Sequence, residues 1–163
     1  MPMTEEIKAA EKAFRDVMLG GIPFLLKQND TAFLSIVCSL AAIDALSGYR
    51  YRTDKVGERY ESFISEYFPA AYKPHADKLY LLRCRMLHNF SPAYFSLTHS
   101  RPDLHLRPSP APDFWISDNV LFDDLKDAAS KFFAEVHTDE KRQGDMSSRL
   151  ADLNRGGAIF THG

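Results

Sequence analysis

The chain has 163 residues, of which 45% are apolar and 26% are charged, and its formal net charge is −2. This length and composition predict a single globular domain with a hydrophobic core. The near-neutral charge excludes a protein that binds nucleic acids or anionic membranes through its overall field, so contact with nucleic acid would require a local basic site.

Apolar residues at spacings of three and four predict four helices in the first half of the chain. Capping residues, glycines and prolines mark their boundaries. The predicted helices lie between Thr4 and Gly20, between Asn29 and Gly48, between Thr53 and Pro69, and between Ala76 and Pro92. The pair Gly20-Gly21, followed by Pro23, is predicted to end the first helix.

Residues 92–118 interrupt the helical pattern and contain five prolines. Short extended stretches at 94–99 and 104–106 flank a predicted turn at 100–103. They predict a small β-hairpin or an irregular flap. The apolar residues 114–116 are expected to pin this insertion to the helices.

Helical spacing resumes after the insertion. Gly144 is predicted to end the fifth helix, Asp145 to cap a short last helix, and the C-terminal end to form a loose tail. The sequence therefore predicts one all-α domain, a bundle of four or five main helices. This bundle covers about residues 4–91 and 119–155, with the extended insertion at about 92–118.

Cys38 and Cys84 lie in apolar helical patterns outside any CxxC motif and are predicted to be reduced core thiols. The N-terminus has no basic segment followed by an apolar run, so it does not predict a signal peptide. The longest apolar stretch, residues 33–46, contains Asp44 and is predicted to be too short and too polar to span a bilayer. We therefore expect a cytoplasmic protein without membrane association.

Two charged side chains fall on apolar helix faces: Arg83 on the fourth predicted helix and Asp44 on the second. Because an unpaired buried charge is costly, we expect these two side chains to form an ion pair between adjacent helices. The pair either fixes helix register alone or holds Arg83 ready to bind a phosphate. His88 lies about 140° around the helix from Arg83. The two side chains therefore converge only if the helix end frays, the arginine reaches around, or two chains combine.

Three sequence blocks occur in order at residues 42–51 (AIDALSGYRY), 63–69 (FISEYFP) and 79–89 (LYLLRCRMLHN). They resemble the HEPN superfamily, in particular a small bacterial and plasmid-borne branch, over roughly residues 33–106. The third block contains the R-x4-H motif of this superfamily. The resemblance implies an up-and-down four-helix bundle, with an additional C-terminal helix here, that forms a homodimer. It also implies a motif that cleaves RNA without a metal ion or another cofactor.

Carried onto this chain, the resemblance makes Arg83 and His88 the catalytic residues. His88 would act as general base or acid while a ribose 2′-OH attacks phosphorus, and Arg83 would stabilise the charge on the phosphoryl oxygens. Asp44, Arg85 and Asn89 are the expected supporting residues, of which Asp44 holds Arg83. The implied protein is a metal-independent endoribonuclease of a toxin–antitoxin or phage-defence system. Its partners would be RNA and an antitoxin or another protein.

Two alternatives stay open. Cys84 occupies a position that is often Asn, Asp or His in active nucleases of the superfamily, and many members are thought to be catalytically inactive. The chain could thus be a non-catalytic HEPN module that binds RNA, a nucleotide or a protein, or a structural dimerisation bundle. The remaining histidines show no metal-binding spacing and are predicted to have structural or surface roles. They are His75, His99, His105, His137 and His162.

Overall fold

The computed structural model describes residues 3–92 and 94–154, which are mostly helical with a small two-stranded parallel sheet. An all-α class is thus broadly correct. The helices are α1 (Glu5–Ala13), α2 (Gly20–Leu26), α3 (Asn29–Arg50), α4 (Val56–Tyr67), α5 (Ala76–Asn89), α6 (Asp118–Thr138) and α7 (Glu140–Asn154). The strands are β1 (Ser96–Thr98) and β2 (Trp115–Ser117), and the other helical segments are a π-helical turn at Phe14–Leu19 and 3₁₀ turns at Ala70–His75 and Pro102–Leu104.

The central element is α3, which contacts α2, α4, α5, α6 and α7. By length and composition this helix could cross a membrane, so the prediction that the stretch is too short and too polar is wrong. However, 56% of its most apolar 18-residue window is buried inside the protein. The core helix of a soluble protein has the same properties. Because α3 is central, it carries Asp44 into contact with neighbouring helices.

The N-terminal helix begins as predicted but does not end as predicted. Thr4 caps α1, since its Oγ1 accepts a hydrogen bond from the Ile7 backbone N–H at 3.4 Å. The predicted stop at Gly20-Gly21 is wrong, because the chain continues through the π-helical turn into α2. Pro23 lies inside α2, and the helix continues past it to Leu26.

The C-terminal helices divide at a different residue from the predicted one. Gly144 and Asp145 lie inside α7, so the predicted break and cap at these residues are wrong. The break falls at Asp139, whose Oδ1 accepts hydrogen bonds from the backbone N–H of Lys141 at 2.8 Å and of Arg142 at 3.3 Å. An aspartate cap therefore decides the boundary. The predicted loose tail lies outside the described residues.

The insertion is extended in part, but it is not the predicted hairpin. β1 and β2 pair in parallel, with Ser96 opposite Trp115. The predicted turn is followed by Leu106, a non-glycine residue with φ 59° whose N–H donates to the carbonyl of Trp115 at 2.8 Å. The chain therefore turns towards residues 114–117 instead of back along β1. Phe114 and Ile116 are buried, so the predicted anchoring of the insertion is confirmed for these two residues.

A partly buried chain of hydrogen bonds attaches the insertion to the helices. His105 Nδ1 accepts a hydrogen bond from the Ser117 N–H at 3.0 Å, and Nε2 lies 2.7 Å from Tyr72 Oη. Tyr72 in turn donates to Asp124 Oδ2 at 2.6 Å. These directions require the neutral His105 tautomer that carries its proton on Nε2. Burial lowers the pKa of His105 to about 4.

Candidate functional site

The predicted ion pair between α3 and α5 is confirmed. Arg83 Nη2 binds Asp44 Oδ2 in a short charge-assisted contact. The two side chains are only 18% and 16% exposed. Burial alone would lower the pKa of the Arg83 guanidinium, but the charge and hydrogen bond of Asp44 raise it above its ordinary value. Arg83 is therefore a fixed, permanently charged group at the edge of the core.

A second arginine, which sequence reasoning missed, shares this carboxylate. Arg59 of α4 places Nη2 3.4 Å from Asp44 Oδ1, and its Nη1 donates to the Thr53 carbonyl at 3.3 Å. The residue is buried, with 8% of its surface exposed. Arg59 lies four positions before Phe63, on the apolar side of α4. The test that singled out Arg83 would therefore have found it.

The resulting cluster has more positive than negative charge. One carboxylate, Asp44, faces two guanidinium groups, and within the described part of the chain the buried Nε atoms of Arg59 and Arg83 have no hydrogen-bond partner. Arg83 Nη1 makes only a weak contact, 3.9 Å from Cys84 Sγ. A third guanidinium is close, because a Cβ at Gly48 would lie 3.6 Å from Arg149 Nε and 3.8 Å from Arg59 Nη2. Asp44 thus carries one negative charge for the two guanidinium groups that it contacts, and Arg83 Nη1 keeps donor capacity.

His88 lies apart from this cluster. Helix α5 stays regular to Asn89 and ends at Phe90, which has φ 50° and donates its N–H to the Met86 carbonyl. Fraying, one of the three ways in which Arg83 and His88 could converge, is therefore absent from this helix end. His88, Arg85 and Asn89 are exposed, and their side chains form no hydrogen bond with the residues that the structure describes. Within one chain, α5 does not bring the two predicted catalytic side chains together.

The face of α5 that carries His88 is partly apolar. Leu81 and Leu87 are 37% and 41% exposed, and Phe90 beyond the helix end is 59% exposed. Cys84 is a thiol on the same side as His88; it is free, as expected of a reduced core thiol, but it is only half-buried. Cys38 is likewise free and half-buried. The motif helix therefore presents an imidazole between exposed aliphatic side chains.

Comparisons of the chain with protein-family models, curated proteins and solved structures give no match. The similarity to the HEPN superfamily therefore rests on the three sequence blocks. In residues 3–92 and 94–154, no group of three or more His, Cys, Asp or Glu side chains is arranged to hold a metal ion. Any function has to be argued from the arginine cluster and the histidines themselves.

Proposed function

We propose that this chain is a cytoplasmic, metal-independent endoribonuclease of the HEPN type that acts as a homodimer. The proposal takes the helices around α3 as the up-and-down four-helix bundle of that superfamily. One observation carries it: a single carboxylate, Asp44, holds two arginines, Arg59 and Arg83. A pair that only fixed helix register would need one arginine for one carboxylate, whereas this cluster keeps a net positive charge for an anion.

Arg83 is the cluster member that a phosphate can reach. Its side chain is 18% exposed, and Nη1 has only a weak sulfur contact. Guanidinium–phosphate hydrogen bonds are charge-assisted and strong. Because Asp44 already fixes the guanidinium, little side-chain freedom remains to be lost when the phosphate binds. Arg83 would then stabilise the charge that develops on the phosphoryl oxygens as the ribose 2′-OH attacks.

His88 supplies the proton transfer in this proposal. Histidine is the side chain best suited to exchange protons near neutral pH, and His88 is exposed in the last turn of α5. It would accept the 2′-OH proton or donate a proton to the leaving 5′-oxygen. Arg85 would contact a neighbouring phosphate and Asn89 would orient the reacting group. DNA, which lacks the 2′-OH, would not be cleaved.

Dimerisation resolves the separation of the two catalytic side chains. Leu81 and Leu87 give α5 an exposed apolar face, and such faces are typical of protein interfaces. In a two-fold dimer the same face packs on itself. Two α5 helices that pack in this way would place Arg83 of each chain near His88 of the partner subunit. The active site would then be composite, with both copies needed for cleavage.

A non-catalytic HEPN module is the second candidate, and one observation favours it. Arg83 is already paired with Asp44, and His88 is exposed on another face of α5. These positions suit an arginine that locks the core and a histidine that faces solvent. Such a module would bind RNA, a nucleotide or an antitoxin-like protein, or serve only for dimerisation, without cleaving a bond.

Complementation between two inactive variants tests the proposal. Single-stranded RNA is incubated in EDTA with wild type, with Arg83→Ala, with His88→Ala, and with the two variants after unfolding and refolding together. Wild type is expected to cleave and each variant alone to be inactive. Equal mixing makes half of the dimers mixed, each with one intact composite site, so about a quarter of the wild-type activity is expected.

The other outcomes are equally informative. If wild type cleaves but the refolded mixture stays inactive, the site lies within one chain and the composite arrangement is wrong. A clean wild-type protein that cleaves none of several RNAs would favour the non-catalytic module. His75→Ala is the matched control, since His75 lies ahead of α5 and packs on Phe114 instead of on the motif face. It should cleave as wild type does.

A further inference from the structure

A cavity of about 160 Å³ lies between the start of α3 and the end of β1. Its apolar wall includes Phe33, Ile36 and Leu97, and its polar wall includes Asn29, Thr98 and His99. Small-molecule sites in proteins have this composition, an apolar lining with a few polar groups that fix orientation. None of these residues belongs to the R-x4-H motif.

His99 is held at this cavity by a buried carboxylate. Its Nδ1 lies 2.6 Å from Asp118 Oδ2, and the Asp118 side chain is 1% exposed. Asp118 Oδ1 also accepts hydrogen bonds from the backbone N–H of Ser100 at 3.2 Å and of Asn119 at 2.7 Å. A carboxylate that accepts from every neighbour requires a proton on His99 Nδ1. In the neutral ring, Nε2 is then a hydrogen-bond acceptor.

The backbone beside His99 is held in an unusual conformation. Ser100 has φ 56°, which is uncommon for a residue with a side chain. Its N–H is bonded to Asp118, and its Oγ accepts from Asn119 Nδ2 at 3.0 Å. These bonds offset the backbone strain and fix the direction in which the chain leaves His99. His99 Nε2 has no hydrogen-bond partner among the described residues, so it remains available to a ligand.

The size and chemistry of the cavity select one class of ligand. This cavity is open to solvent on one side, and its volume matches a single six-membered ring more closely than the larger purine, since a cavity of about 150 Å³ holds a benzene ring. Phe33 offers an aromatic surface on which a base can stack. The Asn29 amide, the Thr98 hydroxyl and His99 Nε2 supply donors and an acceptor for the edge of that ring. The Asp118 carboxylate is already bound by His99 and by the backbone N–H groups of Ser100 and Asn119. It therefore needs no cationic ligand, which suits an uncharged base.

We propose that this cavity binds one pyrimidine base of a single-stranded RNA, with His99 Nε2 accepting a hydrogen bond from an N–H group of the base. Phe33 links the cavity to the end of the motif helix, because its ring packs on Phe90 with centroids 5.0 Å apart. Phe90 follows Asn89 and lies two residues beyond His88. A base in the cavity would thus leave its ribose and phosphate near the end of α5. If the site also determines which RNA sequences are cleaved, that role rests on the proposed ribonuclease function.

Nucleoside titration tests the binding without any cleavage. Cytidine, uridine and adenosine are added to the full-length protein, and the ring signals of His99 are followed by NMR. Cytidine and uridine are expected to shift these signals saturably, while adenosine does not. Phe33→Ala should weaken cytidine binding about tenfold, the amount expected for one lost stacking contact. Leu34→Ala, the exposed neighbour on α3, is the matched control and should bind as wild type does.

A second variant separates the role of His99 from damage to the fold. His99→Asn keeps an N–H in the place of Nδ1, so Asp118 remains bonded while the ring and Nε2 are lost. It should unfold at the wild-type temperature and, with binding followed through the backbone amide signal of Thr98 in both proteins, bind cytidine at least about tenfold more weakly. Equal binding of adenosine, an absence of saturable shifts in wild type, or wild-type affinity in Phe33→Ala would overturn the proposal.

The two proposals fail in different ways. If wild type binds pyrimidine nucleosides but cleaves no RNA, the base-binding proposal is supported and the ribonuclease proposal is wrong. If wild type cleaves RNA without preference for any base and binds no nucleoside, the ribonuclease proposal is supported and the base-binding proposal is wrong. His88→Ala is expected to bind cytidine as wild type does, because His88 does not line the cavity.

Discussion

Arg59 of α4 and Asp44 of α3 lie 3.4 Å apart, measured from Nη2 to Oδ1, on the carboxylate oxygen that Arg83 leaves free. This contact turns a simple pair into a cluster with two cations and one anion. Asp44 pairs with both guanidinium groups, and the buried Nε atoms of the two arginines have no hydrogen-bond partner among the described residues. The stability of the protein and its proposed chemistry therefore both depend on the Asp44 side chain.

Asp44→Asn should destabilise the protein strongly. The substitution leaves two largely buried guanidinium groups without a counter-charge, and breaking a buried ion pair costs about 3–5 kcal/mol. Since Arg83 is 18% exposed, we expect roughly 2–4 kcal/mol, measured as the loss in unfolding free energy in urea. Asp127→Asn on the exposed side of α6 is the control and should change stability by less than about 0.5 kcal/mol. A similarly small loss for Asp44→Asn would show that the arginines do not depend on it.

Arg83→Lys should separate stability from catalysis. An ammonium group can still pair with Asp44, but it cannot present a planar fork to both a carboxylate and a phosphate. We expect RNA cleavage to fall by about 100-fold or more, mainly in kcat, as for the loss of one transition-state donor. Urea unfolding should show a smaller loss of stability than Asp44→Asn does. Arg85→Lys, at an exposed position of the same helix, should keep most of its activity. Full activity in Arg83→Lys would argue against a direct role for Arg83.

Protein stability should decrease in acid through His105. Burial lowers its pKa in the folded protein to about 4, compared with an ordinary value of 6.5. The unfolded chain therefore binds the proton more tightly, and this contribution is complete above pH 6.5 and is lost as the pH falls from 6.5 towards 4. The loss amounts to about 2–3 kcal/mol. Urea unfolding at pH 7.5 and pH 4.5 measures it. His105→Gln should lose less stability than wild type over this pH interval. An identical loss in both proteins would show that another group causes the decrease.

Gly144→Ala should stabilise the protein. Gly144 lies inside α7, and apart from its chain neighbours and the backbone of that helix no atom of the described residues lies within 4 Å of the position that a Cβ would take. Alanine in an exposed helix interior is more favourable than glycine by about 0.5–1 kcal/mol. Gly57→Ala is the contrasting variant, because its Cβ would lie 3.1 Å from the Tyr80 ring. Thermal unfolding should therefore show a higher Tm for Gly144→Ala only. A lower Tm for Gly144→Ala would mean that the helix breaks at this residue after all.

Some of these features could be predicted from the sequence because they depend on helix periodicity. The pairing of Arg83 with Asp44 follows from the cost of an unpaired charge on an apolar face. The helix end predicted at Gly20-Gly21 is wrong because, although glycines usually end helices, burial of Phe14 and Ile22 on either side keeps this segment helical. Local propensity is a weak guide wherever tertiary packing opposes it.

Other features have no local signal. The parallel partner of β1 is β2, which lies beyond the turn that the sequence predicts as the centre of a hairpin. Only the three-dimensional fold identifies β2 as this partner. His99 and Asp118 are 19 positions apart, and neither belongs to a recognisable motif. A histidine is identified as an oriented group only when its carboxylate partner is known. The site on α5 could therefore be predicted from a sequence motif, whereas the cavity beside β1 can be recognised only in the folded structure.

The pairing of β1 with β2 joins two segments that differ in local stability. β2 continues directly into α6 and includes the buried residues Ile116 and Ser117, whereas every residue of β1 is partly exposed. Amide protons of β1 should therefore exchange with solvent through small opening motions, while those of β2 exchange only when the helices unfold. Thr98 and His99 belong to the less protected side. The cavity therefore has one wall of lower local stability at Thr98, while Asp118 ties His99 to the start of α6.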